Sequence, residues 1–117
     1  EVNAHPHVSG TYVKNHPADE GQVVGVHNGI IENYQELKEK LLRNGYQFYS
    51  DTDTEVVVKL VDYYYKKYNI GPIDAIAKTM VRVRGSYALC LMFQDYPGEI
   101  WVARKDSPMI IGTHPLF

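Results

Sequence analysis

The spacing of apolar residues changes several times along the chain, and each change predicts an element. Gln22-Val23-Val24-Gly25-Val26-His27 is a β-branched run that predicts a short strand, closed by the turn-forming pair Asn28-Gly29. The period then lengthens. Tyr34, Leu37, Leu41 and Leu42 fall on one side of a helix, with Asn33 as N-cap, Glu36 three residues on, and Asn44-Gly45 as its close. Tyr46-Gln47-Phe48-Tyr49 alternates weakly and predicts another short strand. Thr52-Asp53-Thr54-Glu55 has the form of a capping box and opens a second helix. Val57, Leu60, Val61, Tyr64 and Tyr68 keep helical spacing there, against the strand preference of its valines and tyrosines. Gly71-Pro72 breaks that helix, and Pro72 starts a third with Ile73, Ile76, Ala77 and Met80 on its inner side and Gly85 at its end.

Beyond Gly85 the pattern is β. Ser86 to Phe93 is continuously apolar, which predicts a strand buried on both faces, with Cys90 in the core. Tyr96-Pro97-Gly98-Glu99 turns the chain, Ile100–Arg104 returns as the second arm of a hairpin, and Met109-Ile110-Ile111 adds a short strand. Residues 1–21 are rich in His, Pro, Gly and Asn and predict loop. One strand, three helices and then strands imply an α+β fold with helices layered on a sheet.

Composition narrows the function classes. The 117 residues are 44% hydrophobic and 22% charged, as in one ordinary globular domain. The net charge is −2 and the basic residues do not cluster beyond Lys66-Lys67, so no nucleic-acid partner is expected. No apolar run is long enough to span a membrane. A single cysteine, Cys90, excludes an internal disulfide and fits a reducing, cytoplasmic setting.

Candidate chemistry concentrates in two places. The Asn28 side-chain amide beside the Gly29 backbone amide offers two N–H donors, the requirement of an oxyanion hole; taken alone, the pair reads first as a plain turn, where this dipeptide is common. Asp53, in a first helical turn, could hold an ammonium group or simply complement the helix dipole. His27, at the strand end, and Thr52, at the helix start, are supporting candidates. Ser50 and Thr52 lack an adjacent base, and capping accounts for Thr52. His5, His7 and His16 have no cysteine or acid at metal-ligand spacing, so neither metal nor cofactor is expected.

"HNGIIENYQELKEKLLRNGYQFYSDTDTEV", with "NAHPHVS" at Asn3–Ser9, "RGSYAL" at Arg84–Leu89 and "ARKDSPMIIG" ending at Gly112, resembles the class II glutamine amidotransferases, a branch of the N-terminal nucleophile hydrolases. The likeness covers nearly the whole chain in order. It implies part of an αββα sandwich with a mostly antiparallel sheet, and L-glutamine as substrate. Asn28 and Gly29 take the oxyanion-hole positions of the family, and Asp53 the position that holds the α-amino group of glutamine. The wording "HNGIIENY", "TDTEV" and "SPMIIG" is most similar to the branch that passes ammonia to fructose 6-phosphate to make glucosamine 6-phosphate. Purine- and asparagine-pathway amidotransferases share the Asn-Gly and SDTE-like elements, and a non-catalytic module that kept the fold is a further alternative.

The departures are equally specific. The family's nucleophile is a cysteine at the mature N-terminus, whereas this chain starts at Glu1 and Cys90 lies in the wrong strand. The Arg-Trp-Ala-Thr-His-Gly motif that precedes "NAHPHVS" is absent, as are sugar-isomerase domains, and "THPLF" at the end does not continue the pattern. The expectation is an internal piece of a glutaminase domain, inactive alone, inclined to self-associate through unpaired strand edges, from a homo-oligomeric parent.

Overall fold

A computed structural model describes residues 7–8, 23–50, 52–105 and 109–113. His5, His16, Asp51 and the final residues 114–117 lie outside the described residues. The elements run β1 (His7–Val8), β2 (Val23–Ile31), α1 (Tyr34–Arg43), α2 (Asp53–Tyr68), α3 (Pro72–Arg82), β3 (Gly85–Phe93), β4 (Ile100–Arg104) and β5 (Met109–Thr113). The strands form one antiparallel sheet in the order β1-β2-β3-β4-β5. All three helices are inserted between β2 and β3, which are themselves neighbours in the sheet. The α+β reading holds.

The helices pack on one face of this sheet. Tyr87, Leu89, Leu91 and Phe93 of β3 and Trp101 and Ala103 of β4 are buried beneath them. α2 is the central helix: Val56, Val57, Val58, Leu60 and Val61 are all sealed from solvent. Burial of such side chains contributes about 1.5–3 kcal/mol each, enough to override the strand preference of a valine triplet. Gly25 of β2 lies directly under α2, where an added Cβ would meet Leu91 and Val58.

Several expectations from the pattern need correction. Asn28-Gly29 does not end its strand: β2 continues to Ile31, with Asn28 opposite Ala88 and Gly29 opposite Tyr87. Gly29 takes φ 120°, and an added Cβ would come within 2.3 Å of the Ser86 carbonyl oxygen. The glycine therefore permits a kink tight against β3, where a turn was expected. Tyr46–Tyr49 is not a strand. Tyr46 N–H instead bonds the Leu41 carbonyl, and the Tyr46 hydroxyl bonds Asp62.

β3 is buried on one face only. Cys90 and Met92 are exposed, because the described residues supply no second layer over that face. The α3 stripe is rotated from its predicted setting: Ala75, Ile76, Thr79 and Met80 are buried, and Ile73 is exposed. His7, predicted in a loop, is in β1 opposite Gly25.

Candidate functional site

The first turn of α2 sits over the middle of β2, and His27 is where they meet. Strand alternation sends His27 to the helix-covered face, where its side chain keeps only 7% exposure. One imidazole nitrogen, Nδ1, is hydrogen-bonded to the Thr54 hydroxyl. The other, Nε2, lies 3.2 Å from the Gly29 carbonyl oxygen and 3.6 Å from Asp53 Oδ1. The Gly29 carbonyl and the Asp53 carboxylate are both acceptors, so Nε2 faces them as a protonated donor. In the neutral ring Nδ1 then accepts from the Thr54 hydroxyl.

Asp53 is the first residue of α2, and its side chain is 32% exposed. A carboxylate there is favoured by the helix dipole and stays open to a cation from solvent. Asn28 follows His27 on the strand, so its side chain goes to the opposite, open face of the sheet and is exposed. Thr54, by contrast, is buried at 1%. The structure thus gathers Gly29 and Asp53 around the His27 imidazole, and adds Thr54, which periodicity did not single out. The signal for Thr54 was its place one residue beyond Asp53 in a helix whose first turn is otherwise acidic.

Neither predicted capping box forms. Asn33 occupies the N-cap of α1, yet its amide donates to the Arg82 carbonyl and its carbonyl oxygen accepts from Arg84 N–H, stitching α1 to the α3–β3 junction. Thr52 is the N-cap of α2 without a side-chain cap bond; its hydroxyl lies 3.0 Å from the Ser50 hydroxyl. Glu55 instead reaches back beyond the cap. It accepts from Tyr49 N–H at 2.7 Å, Ser50 N–H at 2.8 Å and the Ser50 hydroxyl at 2.6 Å. Glu55 is fully buried and paired with an equally buried Lys59 at 3.5 Å. The Lys59 ammonium also lies over the Phe48 and Tyr49 rings. This cluster ties Tyr49 and Ser50 to the first turn of α2.

No group of three or more potential metal ligands is present among the described residues. No described helix is long and apolar enough to cross a membrane. One surface hollow lies between Tyr65, Asn69 and Asp95, away from the imidazole.

Residues 14–117 match the model of the glutamine amidotransferase domain. The chain belongs to the class II glutamine amidotransferase family. It is 47% identical over 112 residues to a glutamine–fructose-6-phosphate aminotransferase (isomerizing) of Pyrococcus horikoshii, covering 96% of this chain and 17% of that protein. A protein of the same name from Caldanaerobacter subterraneus is 45% identical, covering 96% of this chain and 16% of the relative. The chain therefore spans about a sixth of the length of the curated relatives it matches. Among solved structures, an allosteric regulatory enzyme of purine biosynthesis aligns over 88% of this chain and 20% of its own, with TM-score 0.64 and 25% identity. A glutamine phosphoribosylpyrophosphate amidotransferase from B. subtilis covers 80% of this chain and 18% of its own, with TM-score 0.60 and 26% identity.

Proposed function

We propose that this chain is an internal part of a glutaminase domain whose parent protein hydrolyses L-glutamine to glutamate and ammonia and passes the ammonia to fructose 6-phosphate, forming glucosamine 6-phosphate. The observation that carries the reading is the meeting of Gly29 and the Asp53 helix start around the buried His27 imidazole. Asp53 binds the α-ammonium of glutamine. The Asn28 side-chain amide and the Gly29 backbone N–H stabilise the oxyanion formed when a cysteine thiolate attacks the side-chain amide. That thiolate comes from outside this chain, because Cys90 sits in mid-strand and has no free α-amine beside it. Ammonia leaves, and water resolves the thioester to glutamate. Thr52 and His27 act behind these contacts.

The fructose 6-phosphate acceptor is favoured by the names and the 45–47% identity of the relatives described above, against 25–26% for the purine-pathway structures. The acceptor would bind in a separate isomerase domain, in a cytoplasmic homo-oligomer. The test is glutamate release from L-glutamine by the full-length parent protein, with this 117-residue chain as control. Activity is expected in the parent alone. Asn28→Ala in the parent should lower kcat by about a hundredfold or more, the usual cost of one oxyanion donor. Asp53→Asn should act mainly by raising KM. No release by the parent would overturn the reading and favour a non-catalytic module that kept the fold.

A further inference from the structure

Gly29 presents a physical problem for any site built on it. It takes φ 120° in mid-strand and has no Cβ to restrict it, so nothing intrinsic to the residue holds its peptide planes in one orientation. Asp53 has a related problem: it is the first residue of α2 and its side chain is 32% exposed, so little packing fixes its carboxylate. An oxyanion donor and an ammonium-binding carboxylate must nevertheless keep a fixed separation to hold two ends of one substrate.

We propose that Thr54 is a positioning residue that sets this separation through His27. The Thr54 hydroxyl, itself buried, donates to Nδ1 and holds the ring as the Nε2–H tautomer. Nε2–H then faces both the Gly29 carbonyl and the Asp53 carboxylate. A single ring, locked from behind by the helix that carries Asp53, restrains the Gly29–Ile30 peptide, whose plane adjoins at the Gly29 Cα the one that carries the Gly29 N–H. Without the hydroxyl the imidazole could swap its proton to Nδ1. Nε2 would then turn a lone pair toward the Gly29 oxygen and the carboxylate, and repel both. The inference rests on the glutaminase reading for its catalytic consequence, and on geometry alone for the tautomer.

Two measurements test it. In this chain, nitrogen-15 NMR of the His27 ring should show a protonated Nε2 and an accepting Nδ1, and Thr54→Val should convert the signal to a tautomer mixture. A protonated Nδ1 in the unaltered chain, or a ring spectrum unmoved by Thr54→Val, would overturn the proposal. In the full-length parent, Thr54→Val should lower kcat/KM for glutamine by about ten- to a hundredfold, through both KM and kcat. Thr54→Ser, which keeps the hydroxyl, should restore most of it. Equal losses in the two variants, in step with their thermal midpoints, would reduce Thr54 to a packing residue. An inactive unaltered parent would sink the glutaminase reading, while the ring spectra would still decide the Thr54–His27 pair.

Discussion

Glu55 shows how much one residue can carry when its partners are all buried. It has no solvent exposure, faces a Lys59 equally sealed, and accepts three hydrogen bonds from Tyr49 and Ser50. Removing one member of a buried pair takes the opposing charge from the other, at a cost of about 3–5 kcal/mol. Glu55→Ala should therefore destabilise the chain by about that amount, read as a lowered urea midpoint. Replacing both residues by apolar ones, Glu55→Leu with Lys59→Met, removes the stranded charge but still orphans the Tyr49 and Ser50 amides. Each unsatisfied buried donor costs about 1–3 kcal/mol, so the double variant should recover only part of the loss. Full recovery would mean that those amides are served by water and that the ion pair alone matters.

At the scale of elements, β3 and its flanking aromatics give the fold an alkaline limit. Tyr87 is buried on β3 and its hydroxyl lies 3.4 Å from the Val83 carbonyl. Burial pushes its pKa from 10.0 up to about 12. Tyr65 on α2 is raised as well, by burial first and then by its bond to Asp95. A raised phenol pKa means the folded state holds a proton that the unfolded chain gives up. Their contribution is fully present below pH 10 and, for Tyr87, is lost as the pH rises to about 12. Urea unfolding should show stability falling across that window, with a shallower fall in Tyr87→Phe. An identical slope in the variant would place the effect elsewhere.

On the scale of the whole molecule, the sheet is covered on one side. Cys90, Val102 and Ile111 are opposed across β3, β4 and β5 and all point to the uncovered face, with Met92 close by. A contiguous apolar strip of this kind drives association in water. The 13.4 kDa chain should therefore self-associate with rising concentration, as seen by sedimentation equilibrium. The paired change Val102→Glu with Ile111→Lys places opposite charges across the β4–β5 ladder and should return it toward monomer with the same far-UV circular dichroism. A wild-type chain that stays monomeric throughout would show that this face is covered in some other way. The cause proposed here is the sheet face, whereas the pattern alone pointed to unpaired strand edges.

Much of this was legible in the chain. The three helices follow from apolar spacing with Pro72 as a start signal, and β3 to β5 follow from apolar runs and the Pro97-Gly98 turn. The family is legible too, because "HNGIIENY" and "TDTEV" are local strings that need no fold to be recognised. What the tertiary structure decided was which way things face. Periodicity cannot say whether a sheet has one covered side or two, so Cys90 was expected inside and is exposed. It cannot tell a turning Asn-Gly from a kinked one, because the difference lies in the β3 backbone packed against Gly29. It is also blind to a buried Glu55–Lys59 pair, since charged residues count as surface in any apolar pattern. The site itself is the clearest case. His27 and Thr54 are 27 residues apart, and only the packing of α2 across β2 turns them into one hydrogen-bonded unit.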